Sequence, residues 1–411
     1  MARLRKKAKK KICLLLFLVI ILFGAYSFKN YFDQIPDNPI KKKIDEYIEP
    51  ENPIKTYTAK LIATGDGLIH SPIYKAAYKN GTYDFTDMLT LTKEKLKGYD
   101  IKYYNQETVF DDTRNYTSYP IFNTPSAFGD AMIDAGFNMV SLATNHSMDS
   151  GAKSAQISAQ WWEDKKDILT HGMASSEEAR NIYDIKEVNN ITYTMLSYTY
   201  GTNGIKVPND KPWLVNLYDE ETVKKDIEAV RDKVDVLIVA MHWGQEYKLD
   251  ATETQKNQAK FLADNGVDII LGTHSHCIEP WEWIDDTVVF YSFGNFISNQ
   301  MGAESANVRK VGVVGMFGTL DITKTVNTKE NTKEIKIDNV GADLNYTYKY
   351  NNNGRTDYLV VPFSKMESKY LNYYYQNKSL ESVYNEFSNV LKKYDENIKI
   401  ESLKEVPVTE N

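Results

Sequence analysis

Four short apolar runs along the chain end at histidine, with a carboxylate, an amide or a glycine beside it. Each run is continuous rather than alternating, which is typical of strands covered on both faces. The runs are KLIATGDGLIH, FNMVSLATNH, VDVLIVAMHWG and VDIILGTHSH. Open α/β sheets bind their ligands at strand ends. The pattern therefore predicts a histidine-rich site at one edge of a sheet.

Amphipathic segments between these runs predict helices that alternate with the strands. A helix through FGDAMIDA is predicted to have Thr124 as its N-cap, Pro125 at its first position and Gly136 at its end. The segment DEETVKKDIEAVRDK predicts a second helix. Thr252 and Gln255 form a capping-box pattern that opens a third. Strand–helix–strand units of this length predict an α/β fold with right-handed crossovers.

The pattern changes after Lys310, where apolar and polar residues alternate between turn signals. We expect one further strand in TVVFYSFGNF, and antiparallel strands of the same domain in the alternating segments that follow. Asn353 and Gly354 predict a hairpin turn. From Lys369 to Leu391 the spacing of apolar residues is helical.

The N-terminus predicts a membrane anchor. Residues 1–11 are basic, and residues 12–28 are apolar apart from Tyr26 and Ser27. This length lies near the lower limit of a membrane-spanning helix, about 17 residues. The basic flank predicts a cytoplasmic N-terminus, which would place the remaining chain outside the cell. A cleaved signal peptide is the alternative, because Ala25 and Ser27 are small residues suited to a cleavage site.

The sequence divides into five predicted regions. The basic segment 1–11 and the anchor 12–28 are followed by a proline-containing tether, residues 29–57. One α/β domain spans 58–365, and a helical tail spans 366–411. The composition, 42% hydrophobic and 26% charged, is typical of a globular protein. A net charge of -7 argues against a nucleic-acid partner, which requires a clustered basic face.

The two cysteines predict no internal disulfide. Cys13 lies in the apolar N-terminal run, whereas Cys277 follows His276 in the domain. A metal-ligand role for Cys277 is possible in principle, but a small buried side chain is the favoured interpretation.

The polar residues at the predicted strand ends offer carboxylate, amide and imidazole donors. A mixed oxygen and nitrogen set without thiolate suits Mn, Fe or Zn. A carboxylate could bridge two such ions, and metal pairs activate water for displacement at phosphorus. The candidate donors are Asp66, Glu107, Asn145, His146, His242, His274 and His276.

An ordered set of motifs contains these donors. It consists of Gly65-Asp66, Asn105-Gln106-Glu107, and residues 141–151, 242–247, 272–276 and 292–296. In order and spacing the set resembles the CapA family, capsule-synthesis proteins linked to poly-γ-glutamate within the calcineurin-like metallophosphoesterases. The resemblance implies a four-layer α-β-β-α sandwich of the metallophosphoesterase type.

The resemblance also implies a site with two divalent ions. Asp66 and His276 would bind the first ion and Glu107 would bridge the pair. The second ion would be bound by Asn145, His242 and His274. His146 would protonate the leaving group as general acid, oriented by Asp149 or by a backbone carbonyl.

Four further residues are candidates for lining the pocket or supporting the ligands: His70, Glu246, Tyr247 and Asn295. Ordinary phosphoesterases begin with Asp-x-His, whereas here the histidine is His70, four residues after Asp66. A first-metal ligand is therefore missing or repositioned. His171 is interpreted as a surface or packing residue. The 29 tyrosines are interpreted as packing residues rather than as a polymer-binding surface.

We expect a membrane-anchored external protein of capsule, poly-γ-glutamate or envelope-polymer biosynthesis that is a metal-dependent hydrolase or transferase. Its partners would be the membrane, an anionic envelope polymer or phosphorylated glycan, and subunits of polymer synthesis or export. The alternative is a non-catalytic accessory or polymer-binding subunit of such a complex. A wall-associated or sporulation protein that shares only the fold is a third hypothesis.

Overall fold

Two β-sheets organise the part of the chain that the computed structural model describes, residues 53–301 and 306–403. The strands are β1 (Ile54–Gly67), β2 (Tyr78–Lys79), β3 (Thr82–Tyr83), β4 (Ile101–Gln106), β5 (Met139–Ser141), β6 (Leu169–His171), β7 (Lys186–Val188), β8 (Ile191–Thr199), β9 (Val236–His242), β10 (Ile269–Thr273), β11 (Trp281–Ile284), β12 (Thr287–Phe290), β13 (Asn295–Ile297), β14 (Val314–Asn327), β15 (Thr332–Asn352), β16 (Arg355–Pro362) and β17 (Lys399–Ile400). A nine-stranded sheet has the order β16-β15-β14-β1-β4-β5-β6, with β13 paired to β1 and β17 to β15. A six-stranded sheet has the order β11-β12-β10-β9-β8-β7, and β2 and β3 form a separate ribbon.

Three of the longer helices fall in the amphipathic segments that predict them, whereas the 13-residue helix Gly151–Glu163 was not predicted. The helices are α1 (Ser71–Ala77), α2 (Thr90–Lys95), α3 (Ala127–Ala135), α4 (Gly151–Glu163), α5 (Glu177–Arg180), α6 (Glu220–Val230), α7 (Glu253–Asp264), α8 (Ala306–Val311) and α9 (Leu380–Leu391). The predicted capping box is confirmed at α7, where the side chains of Thr252 and Gln255 each accept a hydrogen bond from the other's backbone N–H. The predicted end of α3 is also confirmed, since Gly136 has a φ of 115°.

Three apolar clusters make up most of the core of the described residues, because successive strand residues point to opposite faces. Leu61 of β1 and Ile238 of β9 belong to one apolar cluster, so the two sheets share a core. Ile62 belongs to a second cluster, which includes Phe128 of α3 on the outer face of the first sheet. Val239 of β9 joins a third cluster with residues of α6 and α7. The predicted mixed α/β class is confirmed.

Parallel pairing aligns the polar ends of the strands. Asp66 on β1 lies opposite Asn105 on β4 and Asn295 on β13. In the other sheet His242 on β9 lies opposite Thr273 on β10. Because parallel strands end at the same edge, this register collects the predicted donors at the carboxyl edges of both sheets.

Two predictions of local structure near the site were wrong. Helix α3 begins at Ala127 after Ser126, not at Pro125. Thr124 belongs to the preceding loop, because its N–H donates a hydrogen bond to the Val109 carbonyl over 3.0 Å. The segment TVVFYSFGNF forms two strands, β12 and β13, rather than one. The chain turns between them at Gly294, whose φ is 67°.

The C-terminal part departs from its prediction at the tail. The hairpin turn at Asn353-Gly354 is confirmed, with φ values of 53° and 87°. The expected helix from Lys369 is shorter, because α9 begins at Leu380, where Ser379 accepts a hydrogen bond from the Ser382 N–H. The preceding residues form short 3-10 turns.

The chain divides into two compact units. One comprises residues 56–325 and 333–411, and it contains all the candidate donors. In its described part the other comprises residues 53–55 and 326–332, where the Thr328 N–H donates to the Pro53 carbonyl over 2.8 Å. The predicted domain boundaries at residues 58 and 366 stay predictions.

Within residues 53–301 and 306–403, no helix has the length and apolar character needed to cross a membrane. The predicted basic segment 1–11, the anchor 12–28 and residues 29–52 of the tether lie outside the described residues.

Candidate active site

A buried carboxylate–imidazole group lies at the carboxyl edge of the first sheet. Ligand atoms of Asp66, Glu107 and His276 all lie within 4.8 Å of one another. The His276 Nδ1 atom is 3.3 Å from Asp66 Oδ2, and its Nε2 atom is 3.7 Å from Glu107 Oε1. These three predicted ligands therefore meet, although they come from β1, the end of β4 and the loop after β10.

The Glu107 carboxylate indicates what this group binds. It is 1% exposed, and neither of its oxygens has a hydrogen-bond partner among the described residues. Burial first, and the nearby Asp66 charge second, raise the pKa of Glu107 well above its usual range. A buried carboxylate without hydrogen-bond donors is costly unless a cation meets it. The residues present therefore fit a divalent metal ion.

A second donor group adjoins the first and belongs to the other sheet. The His242 Nε2 atom lies 3.0 Å from Asn145 Oδ1, and the His242 and His274 rings are 4.8 Å apart. Burial lowers the pKa of His242 well below its usual value and that of His274 to about 3. Both imidazoles are thus neutral at physiological pH, which is the form that binds metal.

The loop after β10 holds its histidines in an uncommon backbone conformation. His274 and His276 have φ values of 96° and 57°, and Tyr247 has a φ of 62°. The loop is tied down by hydrogen bonds, since the His274 N–H donates to Asp66 Oδ2 over 3.3 Å and the Tyr247 N–H donates to the Ser275 carbonyl over 2.7 Å. Residues with positive φ in such clusters are common at functional sites.

The predicted general acid has a carboxylate partner. The His146 Nδ1 atom lies 2.6 Å from Asp149 Oδ2, which also accepts a hydrogen bond from the Phe122 N–H over 2.8 Å. Its Nε2 atom lies 4.0 Å from Glu107 Oε1. The ring is therefore held by Asp149 on one side and faces the donor groups on the other.

Other side chains orient the donors from behind. Asn295, fully buried, places its Oδ1 atom 3.2 Å from His276 Nδ1, as the supporting role predicted for it requires. Thr273 Oγ1 lies 3.0 Å from His242 Nδ1. Partners of this kind fix the ring orientation and tautomer of a metal-binding histidine.

The remaining predicted site residues lie along a cleft beside the donors. The His70 Nδ1 atom accepts a hydrogen bond from the Asn299 N–H over 3.3 Å, and burial lowers the pKa of His70 to about 4. Glu246 is exposed and lines the cleft, and the Tyr247 hydroxyl accepts a hydrogen bond from Gln300 over 2.9 Å. The structure thus places His70 at the cleft and not against Asp66 as a neighbouring ligand.

The cleft has a volume of about 730 Å³. Its lining includes Tyr119, Ile121, Phe122, His146, Glu246 and His276. It therefore leads from the surface to the candidate general acid and to one of the candidate metal ligands.

Sequence reasoning missed two amides at the site. Asn105 donates to Asp66 Oδ1 over 2.8 Å, and its Nδ2 atom is 3.4 Å from His242 Nδ1. Asn203 accepts a hydrogen bond from Asn145 over 3.3 Å. Asn105 could have been found, because it lies near the end of β4, two residues before Glu107, whereas Asn203 follows β8 with no preceding histidine.

Two other residues lie apart from the donors. His171, on β6, accepts a hydrogen bond from the Ser197 N–H over 2.8 Å, as expected of a packing residue. Cys277 is fully buried, and its thiol donates to the Lys248 carbonyl over 3.0 Å. These contacts agree with the structural interpretation of both residues.

Comparison with known proteins supports the family resemblance. A family model described as bacterial capsule synthesis protein PGA_cap matches residues 60–300. The PGA biosynthesis protein CapA of Bacillus subtilis (strain 168) is 32% identical over 169 residues, which cover 41% of this chain and 44% of that protein. The capsule biosynthesis protein CapA of Bacillus anthracis is 27% identical over 175 residues, covering 41% and 42%. The chain thus matches less than half the length of each curated relative.

Solved structures give weaker likenesses. A novel phosphatase from Mycoplasma pneumoniae has a TM-score of 0.40 at 14% identity, with 80% of this chain and 100% of that chain covered. The calcineurin-like phosphoesterase YfkN from Bacillus subtilis has a TM-score of 0.37 at 14% identity, with the same coverage.

Proposed function

This chain belongs to the bacterial capsule synthesis protein family PGA_cap, and from that premise we propose that it is a metal-dependent hydrolase or transferase. Its reaction would be of the metallophosphoesterase type, at a phosphate ester or related bond of a cell-envelope polymer. The biological setting would be capsule or poly-γ-glutamate biosynthesis. Supporting the proposal, donors from distant parts of the sequence converge at the carboxyl edges of two sheets.

One observation carries the proposal. Glu107 lies between His276 and His146, with its two carboxylate oxygens buried and unpartnered in the described structure. A purely structural glutamate would be expected to receive hydrogen bonds at this depth. A carboxylate with all its lone pairs available, among imidazoles, is instead what a cation-binding site requires.

The donor set divides naturally between two ions. Asp66, Glu107 and His276 would hold one, and Asn145, His242 and His274 would hold the other; the family resemblance implies that Glu107 would serve both. When bound, a divalent pair supplies water activation and neutralises the charge of a phosphoryl group. Mn, Fe and Zn all suit this mixture of oxygen and nitrogen donors.

The chain's own residues would handle the proton of the leaving group. Asp149 accepts a hydrogen bond from the Nδ1–H group of His146 and so keeps the Nε2 atom facing the site. From there, a protonated His146 would donate to the departing oxygen. Asn295 and Thr273 would keep the ligand imidazoles in place, and the burial of both donor groups would exclude bulk water.

The proposed location is the outer face of the cell membrane. The basic residues 1–11 and apolar residues 12–28 support a single-pass anchor with the folded region outside. Such an anchor would bring the site to an anionic envelope polymer or phosphorylated glycan, and to subunits of polymer synthesis or export.

The test uses the full-length protein, purified in detergent and reconstituted with Mn²⁺. We expect metal in a ratio near two ions per chain, and turnover of phosphate esters that is lost after chelation and restored by Mn²⁺. Protein that binds no metal and turns over no ester under any of the three metals would refute the proposed function.

A specific observation favours the non-catalytic alternative. Where ordinary phosphoesterases have the histidine of Asp-x-His, this chain has Leu68, which is buried and cannot bind metal. An accessory subunit that binds polymer could tolerate this loss. Co-purification with polymer-synthesis subunits, together with metal binding but no turnover, would identify the accessory role.

A further inference from the structure

The cleft beside the donors has an apolar wall that reaches the surface. Tyr119 is 77% exposed and Ile121 is 47% exposed, both on the segment that lines the cleft. Behind them, Phe122 packs edge-on against His146, with ring centroids 4.8 Å apart. Exposed apolar side chains are costly when they touch only water, and grouped at a cleft they indicate a ligand surface.

The charged residues of the cleft have one sign. Among the described residues that line it, Asp149 and Glu246 are acidic and none is lysine or arginine. Glu246 is exposed and lines the cleft together with His146 and His276. A group that extends from the donors into the cleft would therefore meet negative charge and apolar surface.

Resting on the proposed function, we propose that the cleft selects phosphate esters whose alcohol portion is apolar and uncharged. Tyr119, Ile121 and Phe122 would contact that portion, and Glu246 would repel an anionic one. The phosphoryl group itself would be accommodated by the donor groups, where bound cations offset its charge. Selection would thus act on the part of the substrate that leaves, not on the phosphate.

The selectivity comes from the different binding free energies of an apolar group and a carboxylate at the same place in the cleft. Binding of an apolar group is favourable because it removes the apolar surface of the cleft from water. A carboxylate gains little there, and no described lysine or arginine of the lining offsets its repulsion by Glu246. A run of anionic polymer would therefore be a poor occupant of the cleft, even though it could lie elsewhere on the protein.

Binding can be measured without turnover. The probes are benzylphosphonate and 3-(carboxymethyl)benzylphosphonate, which share the phosphonate and the ring but differ by one carboxylate. Calorimetry with the full-length, Mn²⁺-loaded protein should give tighter binding of benzylphosphonate, by roughly fivefold or more for one screened repulsion and a poorer apolar fit.

Variants separate the contribution of the apolar wall from that of the Glu246 charge. Glu246→Gln should narrow the ratio of the two dissociation constants by about threefold, because it removes only the repulsion. Ile121→Asn should weaken benzylphosphonate more than the anionic probe. Glu187→Gln, an exposed acid on β7, is the matched control and should leave the ratio unchanged.

The result that overturns the proposal is equal or tighter binding of the anionic probe, no binding of either probe, or a ratio that Glu246→Gln does not change. Turnover is scored separately. Esters hydrolysed without this preference would refute the cleft assignment alone, whereas selective binding without hydrolysis of any ester would refute the proposed function alone.

Discussion

The Nδ1 atom of His146 lies 2.6 Å from Oδ2 of Asp149, while its Nε2 atom faces Glu107 at 4.0 Å. A short contact of this kind fixes both the ring position and the site of the ring proton. Asp149 therefore acts through His146 rather than on the substrate, and His146 depends on it to present one nitrogen to the site.

Asp149→Asn should lower kcat for phosphate ester hydrolysis by about 100-fold, the lower end of what general acid catalysis contributes. KM should change little, because the donor groups that would bind the phosphoryl group are unaltered. Steady-state kinetics with the Mn²⁺-loaded protein, and metal analysis of both proteins, check this. Asp285→Asn, at an exposed turn, is the control. A loss of metal instead of kcat would assign Asp149 to the metal site.

Glu107→Gln should abolish metal binding by the first donor group and yet stabilise the metal-free protein. Because burial raises the pKa of Glu107, the unfolded state releases its proton at lower pH than the folded state does. Its contribution to stability is therefore present below about pH 4.5 and is lost as the pH rises through its folded pKa. Glutamine has no proton to lose, so the variant should gain stability at pH 7.5 after chelation.

Thermal unfolding with and without Mn²⁺ distinguishes the two effects. Wild-type protein should be stabilised by Mn²⁺, and Glu107→Gln should show little or no such shift. Glu279→Gln is a matched control, since Glu279 is also fully buried with a raised pKa but donates nothing to the site. It should keep the Mn²⁺ shift. An unaltered Mn²⁺ shift in Glu107→Gln would count against Glu107 as a ligand.

The N-terminal anchor predicts where the protein is found. After cell fractionation, full-length protein should remain with membranes through high-salt and carbonate washes, and deletion of residues 1–28 should make it extractable. Its mass should match the uncleaved chain. A mature mass shortened by an N-terminal piece near Ala25 would establish the signal-peptide alternative.

The strand ends near the site could be predicted from the sequence because short, continuous apolar runs between turn residues favour buried parallel strands. Asp66, His242 and His276 each end or follow such a run, so their convergence follows from parallel register alone. The conformation of the loop after β10 could not be predicted. His274 and His276 adopt positive φ there, which depends on hydrogen bonds to residues far away in the sequence such as Asp66.

The contacts of the amides could not be predicted, although the position of Asn105 near the end of β4 could. Asn105 is significant because its Nδ2 atom bridges Asp66 and His242, a contact between two sheets that no local pattern encodes. The boundary errors are similar in kind. The sequence of β12 and β13 is one apolar run that predicts a single strand, and only the turn at Gly294 separates the two.

His171 should make the metal-free protein less stable in acid. Burial lowers the pKa of His171 to about 3, against an ordinary value of 6.5. Above pH 6.5 the imidazole is neutral in both folded and unfolded states, so it contributes no pH dependence. Below pH 6.5 the unfolded state binds a proton that the folded state does not bind, and stability falls by about 1.4 kcal/mol per pH unit until about pH 3.

His171→Asn keeps an acceptor for the Ser197 N–H but does not titrate, so its stability should fall less steeply between pH 6.5 and pH 4 than that of the wild type. Urea unfolding of chelated protein at several pH values measures the slope. Ile168→Val, a buried change beside the same strand, is the control, because it should lower stability equally at every pH. If His171→Asn and wild type lose stability in parallel, burial does not keep the proton off His171 in the folded state, and the prediction is wrong.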